Sequence, residues 1–351
     1  MPDRIFLVHG MGLHEPGWHE KPVSALKDAY AQYPALAAVP FETRFQIVPV
    51  TFDHRLRAIV KKWQTDATAV GEAAKDANVQ LVQDLTGWLR EAGETSGNYE
   101  WTHAADVLLY RVYPSVRAAI KVHVAAQIAK VVNARKAGES WSVIGYSLGT
   151  AVTHDSLHAL WTATMPDGSG TGFNSDQERA QVVAQIANTS RVLQTKPNAY
   201  ESAVKPGAAS KKHGCRYFIT ARHAVDPFTT PFPFQPVAWP DATAEQRGIY
   251  LPIVPQHIHQ WNVHAFEHYM VNPAVHIPLF RSLLDDSDHD YITDDDEATA
   301  LTRFKPFGGL EKQAALKIKS WLEDRLPATS ETWETLRTVW DWYQLGKHHF
   351  A

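Results

Sequence analysis

Residues 140–157 read SWSVIGYSLGTAVTHDSL. The apolar run Trp141–Ile144 predicts a buried strand, and the residues after Ser147 predict a helix reaching about Thr162. Between them stands Gly145-Tyr146-Ser147-Leu148-Gly149, the pattern G-x-S-x-G. The pattern alone recurs by chance; a strand before it and a helix after it are the context that gives it meaning. So tight a turn would hold the serine at a strained φ/ψ, and side chains at 145 and 149 would collide with the neighbouring strand and helix. The helix N-terminus would also aim its first N–H groups at the serine, making the Leu148 N–H a donor for an oxyanion.

A serine hydroxyl is a weak nucleophile near neutral pH. It needs a base to take its proton, a carboxylate to orient that base, and donors for the developing oxyanion. The second donor is expected in the first loop, where FLVHGMG (6–12) ends a strand in His9-Gly10-Met11-Gly12 and offers the Met11 N–H. As a phosphate loop this stretch fits poorly, because a dinucleotide site wants G-x-G-x-x-G opening a helix. For the acid, Asp226 in ARHAVDPF lies just beyond the apolar strand CRYFITA (215–221). Its rivals are Asp155, two turns into the helix after Ser147, and Asp106. The base is the least determined member of the set. The chain has 18 histidines, and NVHAFEHYMVNPAVH offers His264, His268 and His276. His264 is preferred, at the end of an alternating stretch HIHQWNVH (257–264) that reads as a last strand; His268 is the alternative base, and His276 falls inside the next helix. An i, i+4 histidine pair is also a metal signature, but no H-E-x-x-H pattern accompanies it.

Working outward, Arg4–Val8 and RFQIVPVTF (44–52) read as buried strands, and 186–195 as another. Helices are expected near Pro22–Tyr33, Ser115–Arg135 and over NPAVHIPLFRSLL, with Asn272 as cap and Pro273 in its first turn. Residues 164–184 open as a Gly/Ser loop and end helical. Alternating strands and helices predict an α/β fold, a mostly parallel central sheet with helices on both faces. The core is assigned to 1–54 and 111–284. The section 55–110 lacks strand signals and carries the amphipathic stripe Leu81, Val82, Leu85, Trp88, Leu89, so it reads as a helical cap insertion. Residues 285–351 form a C-terminal extension with helices at 309–325 and 330–343. The acidic run at 285–297 lacks the glycine and ligand spacing of a calcium loop and reads as a solvated loop.

Composition excludes several classes. Net charge is −4 and the basic residues are scattered, which leaves no footprint for nucleic acid. Cys215 is the only cysteine, so neither an internal disulfide nor a cysteine-rich zinc site is available. No signal peptide or membrane-spanning run is visible, and the chain reads as cytoplasmic.

The order oxyanion loop, Ser147, Asp226, His264 is that of one superfamily. On FLVHGMG, VIGYSLGTAVTHDSL, FITARHAVDPF and NVHAFEHYMVNPAVHIPL, the chain resembles the α/β-hydrolases, in the branch of serine esterases and lipase-like proteins that includes the GPI-inositol-deacylase-like group. The resemblance spans roughly residues 4–284. Members usually carry histidine before the serine; Tyr146 stands here, a change expected to affect packing or substrate shape more than the triad. The resemblance implies hydrolysis of an acyl ester through an acyl-enzyme on Ser147, with His264 shuttling the proton, Asp226 orienting it, Met11 and Leu148 holding the oxyanion, and no metal or organic cofactor. The implied partner is a small-molecule or lipid-like ester. The cap, with Trp63 and Trp88, and the Phe/Pro run 227–239 would wall an apolar acyl pocket and permit peripheral contact with lipid. An acyltransferase or thioesterase would use the same site. A hydrolase-fold protein that only binds is the reading from another class.

Overall fold

The computed structural model describes residues 2–56, 58, 110–193, 203–207, 214–236, 249–284 and 290–304, apart from residues 12, 13, 112, 113, 166, 169, 225, 227, 231, 232, 260 and 261. Most of the expected cap and both helices of the C-terminal extension lie outside these residues.

Six parallel strands form one sheet: β1 (Asp3–Val8), β2 (Phe45–Val50), β3 (Trp141–Tyr146), β4 (Ala180–Ile186), β5 (Cys215–Ala221) and β6 (Tyr250–Ile253), in the order β2-β1-β3-β4-β5-β6. Around them run α1 (Glu20–Tyr30), α2 (Pro34–Ala37), α3 (Phe41–Arg44), α4 (Pro114–Asn133), α5 (Leu148–Thr162), α6 (Ser190–Leu193), α7 (Phe266–Met270), α8 (Pro273–Leu283) and α9 (Asp294–Arg303). The protein is thus of the α/β class.

Side chains alternate across a strand, and here both faces are buried. Phe6, Val8, Val143, Val183 and Phe218 point to one side, where they pack with Ile120, Val124 and Ile128 of α4 and Val152 of α5. Ile5, Leu7, Ile144, Val182, Ala184 and Ile219 point to the other, against Leu26 of α1, Phe266 and Tyr269 of α7, and Ile277 and Phe280 of α8. At about 25 cal/mol per Å² of apolar surface removed from water, two such layers are the main force closing the molecule. The chain reverses its direction of travel across the sheet between β1 and β3. In open parallel sheets, ligands bind outside the carboxyl ends of the strands at such a switch point.

Several expectations need correction. Residues expected to end helical are β4: in QVVAQI (181–186) both faces are covered, so Val182, Val183 and Ala184 follow one another without the apolar–polar alternation that marks a strand. The stretch 186–195, expected as a strand, instead turns at Ala187 (φ 50°) and enters the short α6. The last strand is not 257–264 but β6, an edge strand that tolerates Pro252. His264 therefore sits in the loop between Ile253 and Phe266. The strand at 44–52 exists as β2, but at the sheet's other edge and half-exposed. The acidic run ends as the first turn of α9: Thr293 caps it reciprocally with Asp296, and Asp294, Asp295, Asp296 and Glu297 lie where the helix dipole favours anions. Asn272 caps α8 as expected, accepting from the Ala274 N–H.

Candidate active site

Ser147 links β3 to α5 at φ 53°, ψ −126°, a region that non-glycine residues rarely occupy. The elbow is held from both neighbouring elements. Its N–H donates to Ile186 O at the end of β4 (3.1 Å), and its carbonyl accepts from Thr150 N–H (2.9 Å) and from the Thr150 hydroxyl (2.6 Å). Thr150 Oγ1 in turn accepts from Thr189 N–H at 3.1 Å. The glycines answer to close approach. A Cβ at Gly149 would run into His9 O and stand 2.6 Å from Val8 O, while one at Gly145 would meet Thr153 Oγ1 at 2.8 Å. The first turn of α5 can therefore lie directly on the end of β1.

That contact sets the oxyanion side. Leu148 is the first residue of α5, so its N–H falls outside the helical hydrogen-bond ladder. The His9–Met11 turn abuts the serine; a Cβ at Gly10 would stand 2.9 Å from Ser147 Cβ. Met11 and Leu148 are both buried here. His9 pins the turn: its Nδ1–H donates to Gly10 O (2.8 Å), its Nε2 accepts from Phe52 N–H (3.1 Å), and its ring stacks on Phe52 with centroids 4.1 Å apart. Because Nε2 is an acceptor, the proton is on Nδ1 and this imidazole is neutral.

His264 Nε2 lies 2.8 Å from Ser147 Oγ, and His264 Nδ1 lies 2.7 Å from Asp226 Oδ2. With Nδ1–H donating to the carboxylate, Nε2 is left as the acceptor facing the hydroxyl, the orientation a general base requires. Asp226 is fully buried, and its other oxygen accepts from Phe228 N–H at 2.9 Å. Phe228, from the Phe/Pro run, sets its ring 4.8 Å from the His264 ring.

The other candidates stand elsewhere. His268 lies within α7, buried, its ring 5.0 Å from that of His223, with no hydrogen-bond partner on either nitrogen among the described residues. Burial, chiefly, pushes it down to about 3, so it is neutral at ordinary pH. His276 donates Nδ1–H to Met270 O (2.6 Å) and accepts from the Tyr33 hydroxyl at Nε2 (2.6 Å), a structural role as its helical position implies. Asp155 is engaged by Arg117 (2.6 and 3.0 Å) and by the Tyr110 hydroxyl (2.6 Å). Asp106 lies outside the described residues. Cys215 is buried, and burial pushes its thiol up, away from reactivity. Among the described residues, no three His, Cys, Asp or Glu side chains converge as a metal site.

Two tyrosines at the site were not foreseen in these roles. Tyr146 donates its hydroxyl to the carbonyl of His264 at 2.8 Å, with ring centroids 5.7 Å apart, so it touches the histidine loop itself and does more than shape packing beside the serine. Tyr269 reaches Asp226. No family model, no curated protein and no solved structure matches the chain.

Proposed function

We propose that the protein is a serine hydrolase of the α/β-hydrolase class that cleaves carboxylic esters, lipid-like or otherwise apolar in their acyl part, through an acyl-enzyme on Ser147. The observation that carries this reading is the continuous chain Ser147 Oγ–His264 Nε2–Asp226, at 2.8 and 2.7 Å, on an elbow strained to φ 53°. The strand–serine–helix connection and the acid and base following in chain order support the fold assignment. Phe228 beside His264 supports an apolar substrate.

In this reading Ser147 Oγ attacks the ester carbonyl carbon while His264 Nε2 takes its proton. Asp226 stays ionised and stabilises the imidazolium. The carbonyl oxygen becomes an oxyanion between the Leu148 and Met11 N–H groups; such donors are each worth about 3–4 kcal/mol in comparable enzymes. Collapse of the intermediate breaks the C–O bond, and the leaving alkoxide takes the proton from His264. Water, deprotonated by the same imidazole, then releases the acid and restores Ser147.

The test is hydrolysis of p-nitrophenyl esters from acetate to palmitate. Ser147→Ala and His264→Ala are expected to lose at least about a thousand-fold in kcat, whereas His268→Ala retains activity in its folded fraction. Full activity in Ser147→Ala, or inert wild type across the whole series, contradicts the reading.

A further inference from the structure

We infer that Tyr269 is a positioning residue of this site: its hydroxyl fixes the Asp226 carboxylate and thereby tempers the basicity of His264. The inference rests on the hydrolase reading above and adds a member to its machinery.

The Tyr269 hydroxyl has one arrangement open to it. It accepts from His223 N–H at 2.8 Å, so its own proton is directed to Asp226 Oδ2, 3.1 Å away. Tyr269 and Asp226 are both fully buried, so water does not compete at this contact. The same oxygen, Oδ2, also receives His264 Nδ1 at 2.7 Å, while among the described residues Oδ1 receives Phe228 N–H alone. Two donors therefore share one carboxylate oxygen. Each draws on the same negative charge, so what the tyrosine takes is withheld from the imidazolium. Base and tyrosine also belong to one short segment, the His264 loop running into α7, so this segment grips the Asp226 turn twice.

The groups around the hydroxyl suit a donor that stays neutral. Burial, and after it Asp226, raises the Tyr269 phenol well above its ordinary range, so it does not ionise where the site would work. Arg222 and His223 face it from the end of β5, Tyr146 from the end of β3, and His268 from its own helix. Burial lowers both His223 and His268, the latter to about 3, so His268 contributes no charge that would mask a shift in His264.

Two substitutions test this in opposite directions. Tyr269→Phe keeps the ring and removes the donor: the acid limb of kcat/KM should move up by roughly half a pH unit as His264 gains basicity, with kcat/KM about ten-fold lower. Replacing Tyr269 with 2,3-difluorotyrosine keeps the hydroxyl and makes it a stronger donor, and should move the limb down. The His264 Cε1–H signal, titrated by NMR in each protein, should follow the same two directions. A purely structural tyrosine would leave the titration of His264 fixed in both variants, and that result overturns the inference. If Tyr269→Phe does not fold, the fluorinated protein decides alone: no downward shift overturns it. Wild type that titrates as described but cleaves no ester would instead contradict the hydrolase reading, since the NMR titration needs no turnover.

Discussion

Tyr146 occupies the position between Gly145 and Ser147, and its hydroxyl reaches across to the main chain of His264 at 2.8 Å. One residue thus couples the serine elbow to the loop that carries the base. Tyr146→Phe removes a single hydrogen bond of about 1 kcal/mol, so kcat/KM should fall some five- to ten-fold with little change in KM. Steady-state kinetics of the folded variant check this, and a change confined to KM would place Tyr146 in substrate binding. Ser147 and Asp226 were legible in the sequence because each follows an apolar run that is a strand, β3 and β5; His264 was reached through 257–264, an alternating stretch that is not the last strand. Tyr269 carried no such signal: a tyrosine in FEHYM reads as core, and only the fold shows which buried group its hydroxyl meets. His264 was preferred over His268 only for its place at the end of 257–264; the fold sets the first at Ser147 and the second against His223.

At the scale of elements, the sheet's class was readable and the middle of its strand list was not. Strands buried on both faces, such as β4, lose the alternation that distinguishes a strand from a buried helix. Edge strands such as β6 are too short to outweigh a neighbouring stretch that alternates by accident. The helix α5 illustrates how two similar carboxylates divide between roles. Asp155, on α5, receives the Arg117 guanidinium and the Tyr110 hydroxyl and ties this helix to α4. Removing it takes the carboxylate from a largely buried arginine, so Asp155→Ala should cost about 3 kcal/mol or more in unfolding free energy while the folded fraction keeps its catalytic constants. Asp226→Ala is expected to do the reverse, with a modest stability change and a large loss of kcat. Thermal unfolding and active-site titration of both variants separate the two; equal catalytic losses would contradict the division. Gly149→Ala tests the contact between α5 and β1. Its Cβ meets backbone oxygens that have no rotamer to yield, and destabilisation of about 3 kcal/mol is expected from overpacking.

For the molecule as a whole, buried histidines set the response to acid. His268 and His276 are held down to about 3 and about 4 by burial, whereas in the unfolded chain they take up protons near pH 6.5, the usual histidine value. Between those limits the unfolded state binds more protons, so stability is intact above pH 6.5 and falls as pH drops, by up to ~1.4 kcal/mol per pH unit per histidine. His268→Phe removes one of these groups together with two nitrogens that have no hydrogen-bond partner among the described residues. Its advantage over wild type in chemical denaturation should therefore widen between pH 6.5 and 4, and a constant gap would contradict the assignment.

The most direct measurement of the central claim is labelling by a fluorophosphonate, followed by peptide mapping. The account predicts one adduct per chain, on Ser147, formed rapidly in wild type and at least a hundred-fold more slowly in a folded His264→Ala variant, since the hydroxyl then lacks its base. An unlabelled protein, or an adduct formed equally well without His264, would contradict it.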